Sequence, residues 1–255
     1  MKISVVTICY NNERDIRATI ESVINQTYDD IEYIVKDGGS KDRTMEIVNE
    51  YKDKITKIIS CPDKGIYDAI NQGTQAATGD VVGLIHSGDR LHDENVIATL
   101  AKKFEETNAD IVYGSSKAVK ENDKVVRVNI GKKFSKRIIS NGWVPPHMGI
   151  YVRKACLDKY GLYRLDIGYA ADYEWMVRYL YKNADEMKIV GIKDFVVKFA
   201  MGGTSTQNLK VVVEKKQRNA LTNSWVVNGL KAPMFLVYRK WLTKIPMYIN
   251  ALRYK

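Results

Sequence analysis

Over its first 110 or so residues the chain alternates apolar runs with amphipathic stretches, and few folds accommodate that alternation. KISVVTICY (residues 2–10) is a nearly continuous apolar, β-branched run, the mark of a strand buried on both faces. Asn11 or Asn12 can cap the helix that follows, in which Ile16, Ile20, Val23 and Ile24 recur at i, i+4, i+7 and i+8 and form one stripe. IEYIVKD then predicts a second strand and GGSKDRT a turn, and Met45, Val48 and Tyr51 stripe a second helix. ITKIISC, GIYDAINQGTQAA and DVVGLIH predict strand, helix and strand again. DENVIATLAKKFEET predicts a helix leading into the strand ADIVYGSSKAV, and ENDK followed by VVRVNI predicts a hairpin. After an irregular stretch come the helix ADYEWMVRYLYKN and two strands, MKIVGI and FVVKFA.

Strands that alternate with helices in this way specify an α/β fold: a Rossmann-like, mostly parallel central sheet flanked by helices, with right-handed crossovers. Ligands of such sheets bind outside the carboxyl ends of the strands, so the polar residues at those ends are the ones to inspect. Strand one ends in Thr7, Cys9, Tyr10 and Asn11, and strand two in Asp37, Gly38 and Gly39. Strand three runs into Pro62, Asp63, Lys64 and Gly65, and strand four into His86, Ser87, Gly88 and Asp89. A single Asp at a strand end is usually a cap or turn former. Three along one sheet edge point to a small-molecule site.

Neither G-x-G-x-x-G after the first strand nor G-x-x-x-x-G-K-[ST] occurs, which disfavours a dinucleotide-binding dehydrogenase and a P-loop NTPase. Phosphate would have to be neutralised by other means. A divalent cation at Asp89 is the economical answer, because Mg²⁺ takes one or two protein carboxylates and fills its shell with phosphate oxygens and water. Cys9, Cys61 and Cys156 lack any C-x-x-C spacing and read as small core hydrophobes in a reducing compartment, the cytoplasm. The N-terminal run is short and meets charge at once, so it reads as a strand and not a signal peptide.

Five stretches, VVTICYNNERDIRATIESVINQTY, VKDGGSKDRT, DKGIYDAINQG, ATGDVVGLIHSGD and GYAADYEW, carry a resemblance that runs in order over about residues 3–205. They resemble the motif series of the family 2 inverting glycosyltransferases with a GT-A fold, most closely those that build bacterial capsule, exopolysaccharide and lipopolysaccharide. The resemblance implies a hexosyl- or N-acetylhexosaminyl-transferase using a nucleotide-sugar, with a UDP-sugar favoured. It implies that Thr7, Tyr10, Asn11 and Asp37 hold nucleobase and ribose. Asp63, Lys64, Gly65, Asp68, Asn71, Ser87 and Gly88 would line the rest of the donor. Asp89 would ligate Mn²⁺ or Mg²⁺. His86 and Gly88 stand where many members carry acids, and His147 is the candidate second ligand. Asp172 would be the general base, worth about 10²–10⁴-fold, with Glu174 a weaker candidate. Gly202, Gly203, Thr204 and Ser205 would form a mobile loop closing on the diphosphate.

The net charge of +10 is uneven: from Lys210 to Lys255 ten Lys and Arg face the single acid Glu214. Residues 231–255 interleave six cations with aromatic and aliphatic side chains, including Trp241 and Tyr248. This predicts a basic amphipathic helical extension over 206–255, suited to an anionic membrane surface at the inner face of the cell membrane, or to packing on the domain or a second subunit. No binding motif accompanies the charge, so nucleic acid is not expected as a partner. The catalytic unit would span 1–205, with a nucleotide-sugar half of about 1–115 and an acceptor half of about 116–205. The acceptor would be a saccharide, free or carried on a polyprenyl lipid. The rival readings are a nucleotidyltransferase, which would want a basic glycine-rich loop after strand one, and a catalytically inactive module that binds nucleotide-sugar or membrane.

Overall fold

The structure, a computed structural model, describes residues 1–201, 246–252 and 254. The first half is built as the alternation predicts. Strand β1 (Ile3–Cys9) is buried along its whole length and lies between β2 (Ile31–Asp37) and β4 (Val81–His86), parallel to both. Beyond β2 lies β3 (Lys57–Ser60), also parallel. Helices α1 (Ile16–Ile24), α2 (Thr44–Glu50) and α3 (Ile66–Gln75) supply the crossovers. The buried face of α1 is Ile16, Thr19, Ile20 and Val23. The short α2 turns Ile47 and Val48 inward, while Met45 and Tyr51 are only half-buried.

The second half changes direction. After the two-residue strand β5 (Arg90–Leu91), α4 (Val96–Thr107) stops at Asn108, whose left-handed φ of 48° ends the helix. Strand β6 (Ile111–Val119) forms the expected hairpin with β7 (Val125–Asn129), and Asp123 takes φ 57° in its turn. Helix α5 (Lys136–Ser140) precedes β8 (Ile150–Arg153), which pairs antiparallel with both β4 and β6 and so joins the two halves of the sheet. Helices α6 (Lys154–Tyr160) and α7 (Ala171–Val177) follow, and α7 continues as a wider helical turn to Lys182. MKIVGI and FVVKFA, expected as two strands, are one: β9 (Ile189–Ala200) runs parallel to β6 and absorbs the intervening polar residues in two register shifts beside Ser115. The sheet order is β3-β2-β1-β4-β8-β6-β9-β5, with β7 off β6.

Two apolar layers sandwich the sheet. Ile16, Ile20, Val48, Ile97 and Phe104 cover one face, and Ile70, Trp143, Tyr173, Trp175 and Leu180 cover the other. Cys9 and Cys156 are buried as expected, but Cys61 is exposed at the end of β3, where its thiol meets the Gln72 side chain at 3.4 Å. Residues 246–252 are helical; Ala251 is buried, and the Tyr254 ring stands edge-on to Phe195 of β9 at 5.5 Å. Tyr248, Ile249 and Leu252 are exposed. Among the described residues no helix is long and apolar enough to cross a membrane.

Candidate active site

The carboxyl ends of β1, β2, β3 and β4 share one edge because those strands run parallel, and most of the expected donor residues gather there. Tyr10 follows β1 with its ring exposed, and Asn11 turns the chain through a left-handed φ of 45°. Asn11 donates its N–H to the Ser40 hydroxyl at 2.8 Å and accepts from the Lys41 N–H at 2.8 Å, which ties the β1 and β2 ends together.

Thr7 does not reach this surface. It is wholly buried, and its hydroxyl lies 3.1 Å from that of Tyr33, beneath the strand ends. Asp37 is wholly buried as well. Its carboxylate accepts from the N–H groups of Gly39 and Ser40 at 3.0 and 3.1 Å and from the Ser60 hydroxyl at 2.8 Å. Asp37 thus shapes the turn below the expected nucleobase position, with its acceptor capacity spent there.

Asp63 stands nearer the surface and accepts from the Gly65 N–H at 2.9 Å, where Gly65 adopts φ 113° to start α3. Asp68 accepts from the Lys64 N–H at 2.8 Å and from Gln72 at 3.0 Å, so its carboxylate ties the loop before α3 to the helix. Both ends of the Asn71 amide are engaged on the backbone of Tyr163.

The turn after β4 is held from beneath by α1. Thr19 donates to the Asp89 carbonyl at 2.8 Å and accepts from the Gly88 N–H at 2.9 Å, with Gly88 at φ 100°. The Asp89 carboxyl is buried and accepts from the Ala200 N–H at 3.0 Å, pinning the end of β9 to this turn. Burial pushes it up to about 7, with the Ala200 N–H pulling the other way. Among the described residues no three His, Cys, Asp or Glu gather as a ready-made cation site. A cation here would rest on the single Asp89 carboxylate with phosphate oxygens and water, a donor set that fits Mg²⁺ or Mn²⁺ only together with a diphosphate.

His147, expected as the second ligand, is committed elsewhere. Its Nε2 is 2.5 Å from the Tyr163 hydroxyl, and its ring stands edge-on to Tyr163 and Trp175. Burial pushes the His147 imidazole down to about 4. It is part of an aromatic wall in which Tyr67, Tyr163, Trp175 and Tyr179 stack in series.

Asp172 sits in the first turn of α7, beside this wall. Its carboxylate accepts from the Tyr173 N–H at 2.7 Å and from the Tyr67 hydroxyl at 3.4 Å. Burial and the Asp172 charge push the Tyr67 phenol well above its usual range, so it remains a donor. His86, the last residue of β4, is within the electrostatic reach of Asp172. Burial and His147 push its imidazole down to about 3 while Asp172 pulls it up, so the ring is neutral. Its Nε2 is buried with no hydrogen-bond partner among the described residues.

Glu174, the weaker candidate base, is engaged on Arg178. It is buried and forms a two-point ion pair with Arg178, at 2.9 and 3.0 Å. Gly202, Gly203, Thr204 and Ser205 lie outside the described residues.

Sequence reasoning overlooked Tyr67, Tyr163 and Lys36. Tyr67 and Tyr163 read as ordinary amphipathic aromatics. Lys36 left a signal, the only cation of its strand, directly after the apolar run Tyr33–Val35.

Known proteins share this fold and its family pattern. The family model described as Glycosyl transferase family 2 matches residues 4–160. An uncharacterized glycosyltransferase of Mycobacterium tuberculosis is 32% identical over 182 residues, which cover 69% of this chain and 68% of that protein. The S. aureus TarS 1–349 structure in complex with UDP-GlcNAc superposes with a TM-score of 0.69 at 19% identity, over 94% of this chain and 69% of that one. A mannosyltransferase of Pyrobaculum calidifontis, solved with GDP-Man and Mn²⁺, gives a TM-score of 0.61 at 15% identity, over 99% and 74%. The parallel strand ends and the motifs placed on them are thus those of a known family: the chain belongs to glycosyl transferase family 2 and is a glycosyltransferase with the GT-A fold.

Proposed function

We propose that the chain transfers one sugar from a nucleoside-diphosphate sugar, a UDP-sugar in the favoured case, to an acceptor hydroxyl with inversion at the anomeric carbon. The observation that carries this reading is the placement of Asp172. Its carboxylate stands at the start of α7 with the Tyr67 hydroxyl on one oxygen, within electrostatic reach of His86 at the end of β4. A donor lying along the strand ends would present its anomeric carbon between the Asp89 turn and Asp172. In a single displacement Asp172 takes the acceptor's proton as the sugar–phosphate bond breaks, and the attack from its side inverts the centre.

Asp89 would hold Mn²⁺ or Mg²⁺, which when bound neutralises charge on the donor diphosphate. The Pyrobaculum mannosyltransferase, of the same fold, was solved with Mn²⁺. Tyr10, Asn11, Asp63, Lys64 and Gly65 would line the nucleoside, Ser87 and Gly88 the diphosphate, and Asp37, Asp68 and Asn71 would shape the site from beneath. We divide the chain into a catalytic unit of residues 1–205, whose donor half is about 1–115 and acceptor half about 116–205, and a basic extension, 206–255. The cations of residues 231–255 and the exposed Tyr248, Ile249 and Leu252 suit an anionic membrane surface, at roughly 1 kcal/mol per cation. That address matches an acceptor saccharide carried on a polyprenyl lipid at the cytoplasmic face, in surface polysaccharide synthesis.

The test is sugar turnover by Asp172→Asn. Loss of about 10²-fold or more in kcat with unchanged nucleotide binding is expected; turnover within a few-fold of wild type would remove Asp172 from the role of base.

A further inference from the structure

Three cations stand side by side at the β5 edge of the sheet. Lys198 of β9 pairs in register with Arg90 of β5 on one side and with Lys117 of β6 on the other, and registered partners present their side chains on one face. Like charges placed directly opposite one another destabilise a sheet. Arg90 pairs with Asp123 in the turn between β6 and β7, and the field of Lys198 also reaches that carboxylate. Lys117 and Lys198 themselves make no ion pair among the described residues. Burial and the neighbouring Lys198 pull the Lys117 ammonium below its usual range. Beyond β9 the chain offers little counter-charge, ten Lys and Arg against Glu214 alone.

The row of cations adjoins apolar surface. The Lys117 ammonium lies 4.5 Å from the centre of the Phe195 ring, and the Tyr254 ring meets the same ring edge-on at 5.5 Å. Tyr254 follows the helical residues 246–252, whose Tyr248, Ile249 and Leu252 are exposed and fall at i, i+1 and i+4, on one side of the helix. Phe195 thus links a cationic seat to an exposed apolar stripe, the complement of an amphiphile with an anionic head. We propose that Lys117 and Lys198, with Arg90 at the end of the row, seat the phosphate head of one membrane lipid and favour a phosphomonoester over a phosphodiester. Neighbouring strands lie about 4.8 Å apart, so adjacent lysines can reach one phosphate. Three cations against Asp123 leave an excess of two, which matches a monoester, close to doubly charged near neutral pH; a diester carries a single charge. The inference rests on the membrane reading of residues 231–255 and adds a defined seat and a class of headgroup; it makes no use of the donor-site assignments.

The experiment is binding of the full chain to phosphatidylcholine vesicles carrying phosphatidic acid or, at equal surface charge, phosphatidylglycerol. Wild type, Lys117→Gln, Lys198→Gln and Lys117→Arg are compared, each with a thermal melt. Wild type binds the phosphatidic acid vesicles about fivefold or more tighter, the scale of one charge-assisted hydrogen bond. Each glutamine variant brings that ratio to within about twofold, keeps its binding to phosphatidylglycerol, and melts no lower than wild type, because a like-charge contact has gone. Lys117→Arg keeps the preference. Equal binding of the two vesicles by wild type overturns the seat alone. So does an unchanged ratio in both glutamine variants, and a lower melt in both would then assign the two lysines to the fold. Binding to neither vesicle overturns the proposal together with the membrane reading. If inorganic phosphate then raises the melt of wild type but of neither glutamine variant, the occupant is a free anion and not a lipid.

Discussion

Asn71 and Tyr163 are joined by two opposed hydrogen bonds: the Asn71 amide donates to the Tyr163 carbonyl at 2.8 Å and accepts from the Tyr163 N–H at 2.9 Å. One side chain on α3 thereby substitutes for a strand partner and fixes the segment that carries Tyr163. Tyr163 in turn stacks on Tyr67 and Trp175 and meets His147 through its hydroxyl. The clamp sets the wall against which Asp172 is placed. Asn71→Ala would strip two part-buried backbone groups of their partners, and a loss of about 2–4 kcal/mol is expected. For a chain of this size that is roughly a 5–12 °C fall in Tm. A melt within a degree of wild type would show that water replaces the amide at no cost.

The first half of this fold was legible because its period was. β1, β2 and β4 read as buried runs, and parallel strands bring their carboxyl ends to one edge whatever the loops do. Asp63 and Asp89 could be placed on that edge from the sequence alone. What a sequence does not carry is which way a carboxylate turns. Asp37 and Asp63 look equivalent as strand-end acids, yet one is folded under its own turn and the other is held out by Lys36. His147 likewise carries no mark that its Nε2 is engaged by a tyrosine 16 residues away. The join of MKIVGI to FVVKFA was hidden because a register shift lets one strand carry polar residues that look like a loop.

Tyr67→Phe removes the hydroxyl that reaches Asp172 and leaves the stack on Tyr163 in place. The contact is long at 3.4 Å, so its effect is orientation of the carboxylate more than strength of the bond. A fall in kcat of about tenfold, with nucleotide affinity within about twofold, is the expected signature of a residue acting through the base. An equal effect on nucleotide binding would place Tyr67 on the donor instead.

Glu174→Ala tests the division of labour between neighbouring acids. The Glu174 carboxylate is buried against Arg178, whose guanidinium also donates to the carbonyls of Gly161 at 2.9 Å and Leu162 at 2.7 Å. Removing one partner leaves a buried cation unpaired, at a cost of about 3–5 kcal/mol. Denaturant unfolding should register that loss in full. Turnover per folded molecule, measured well below the melting temperature, should stay within a few-fold of wild type. A turnover loss as large as that of Asp172→Asn would reverse the assignment.

Acid should destabilise this protein through its enclosed histidines, and His147 isolates the effect. Its folded imidazole lies at about 4, below the ordinary value of 6.5, because burial disfavours the cation. Below 6.5 the unfolded chain binds a proton that the folded chain refuses. His147 therefore contributes stability in full above about 6.5, and that contribution drains away as the pH falls toward 4, at up to about 1.4 kcal/mol per pH unit. His86 acts in the same direction, so wild type alone cannot apportion the loss. His147→Gln can, since glutamine does not titrate and can still meet the Tyr163 hydroxyl. Urea unfolding at pH 7 and pH 5 should show a drop in wild type that exceeds the drop in His147→Gln by about 1.5–2 kcal/mol. Equal drops in the two proteins would mean that His147 takes up its proton inside the fold.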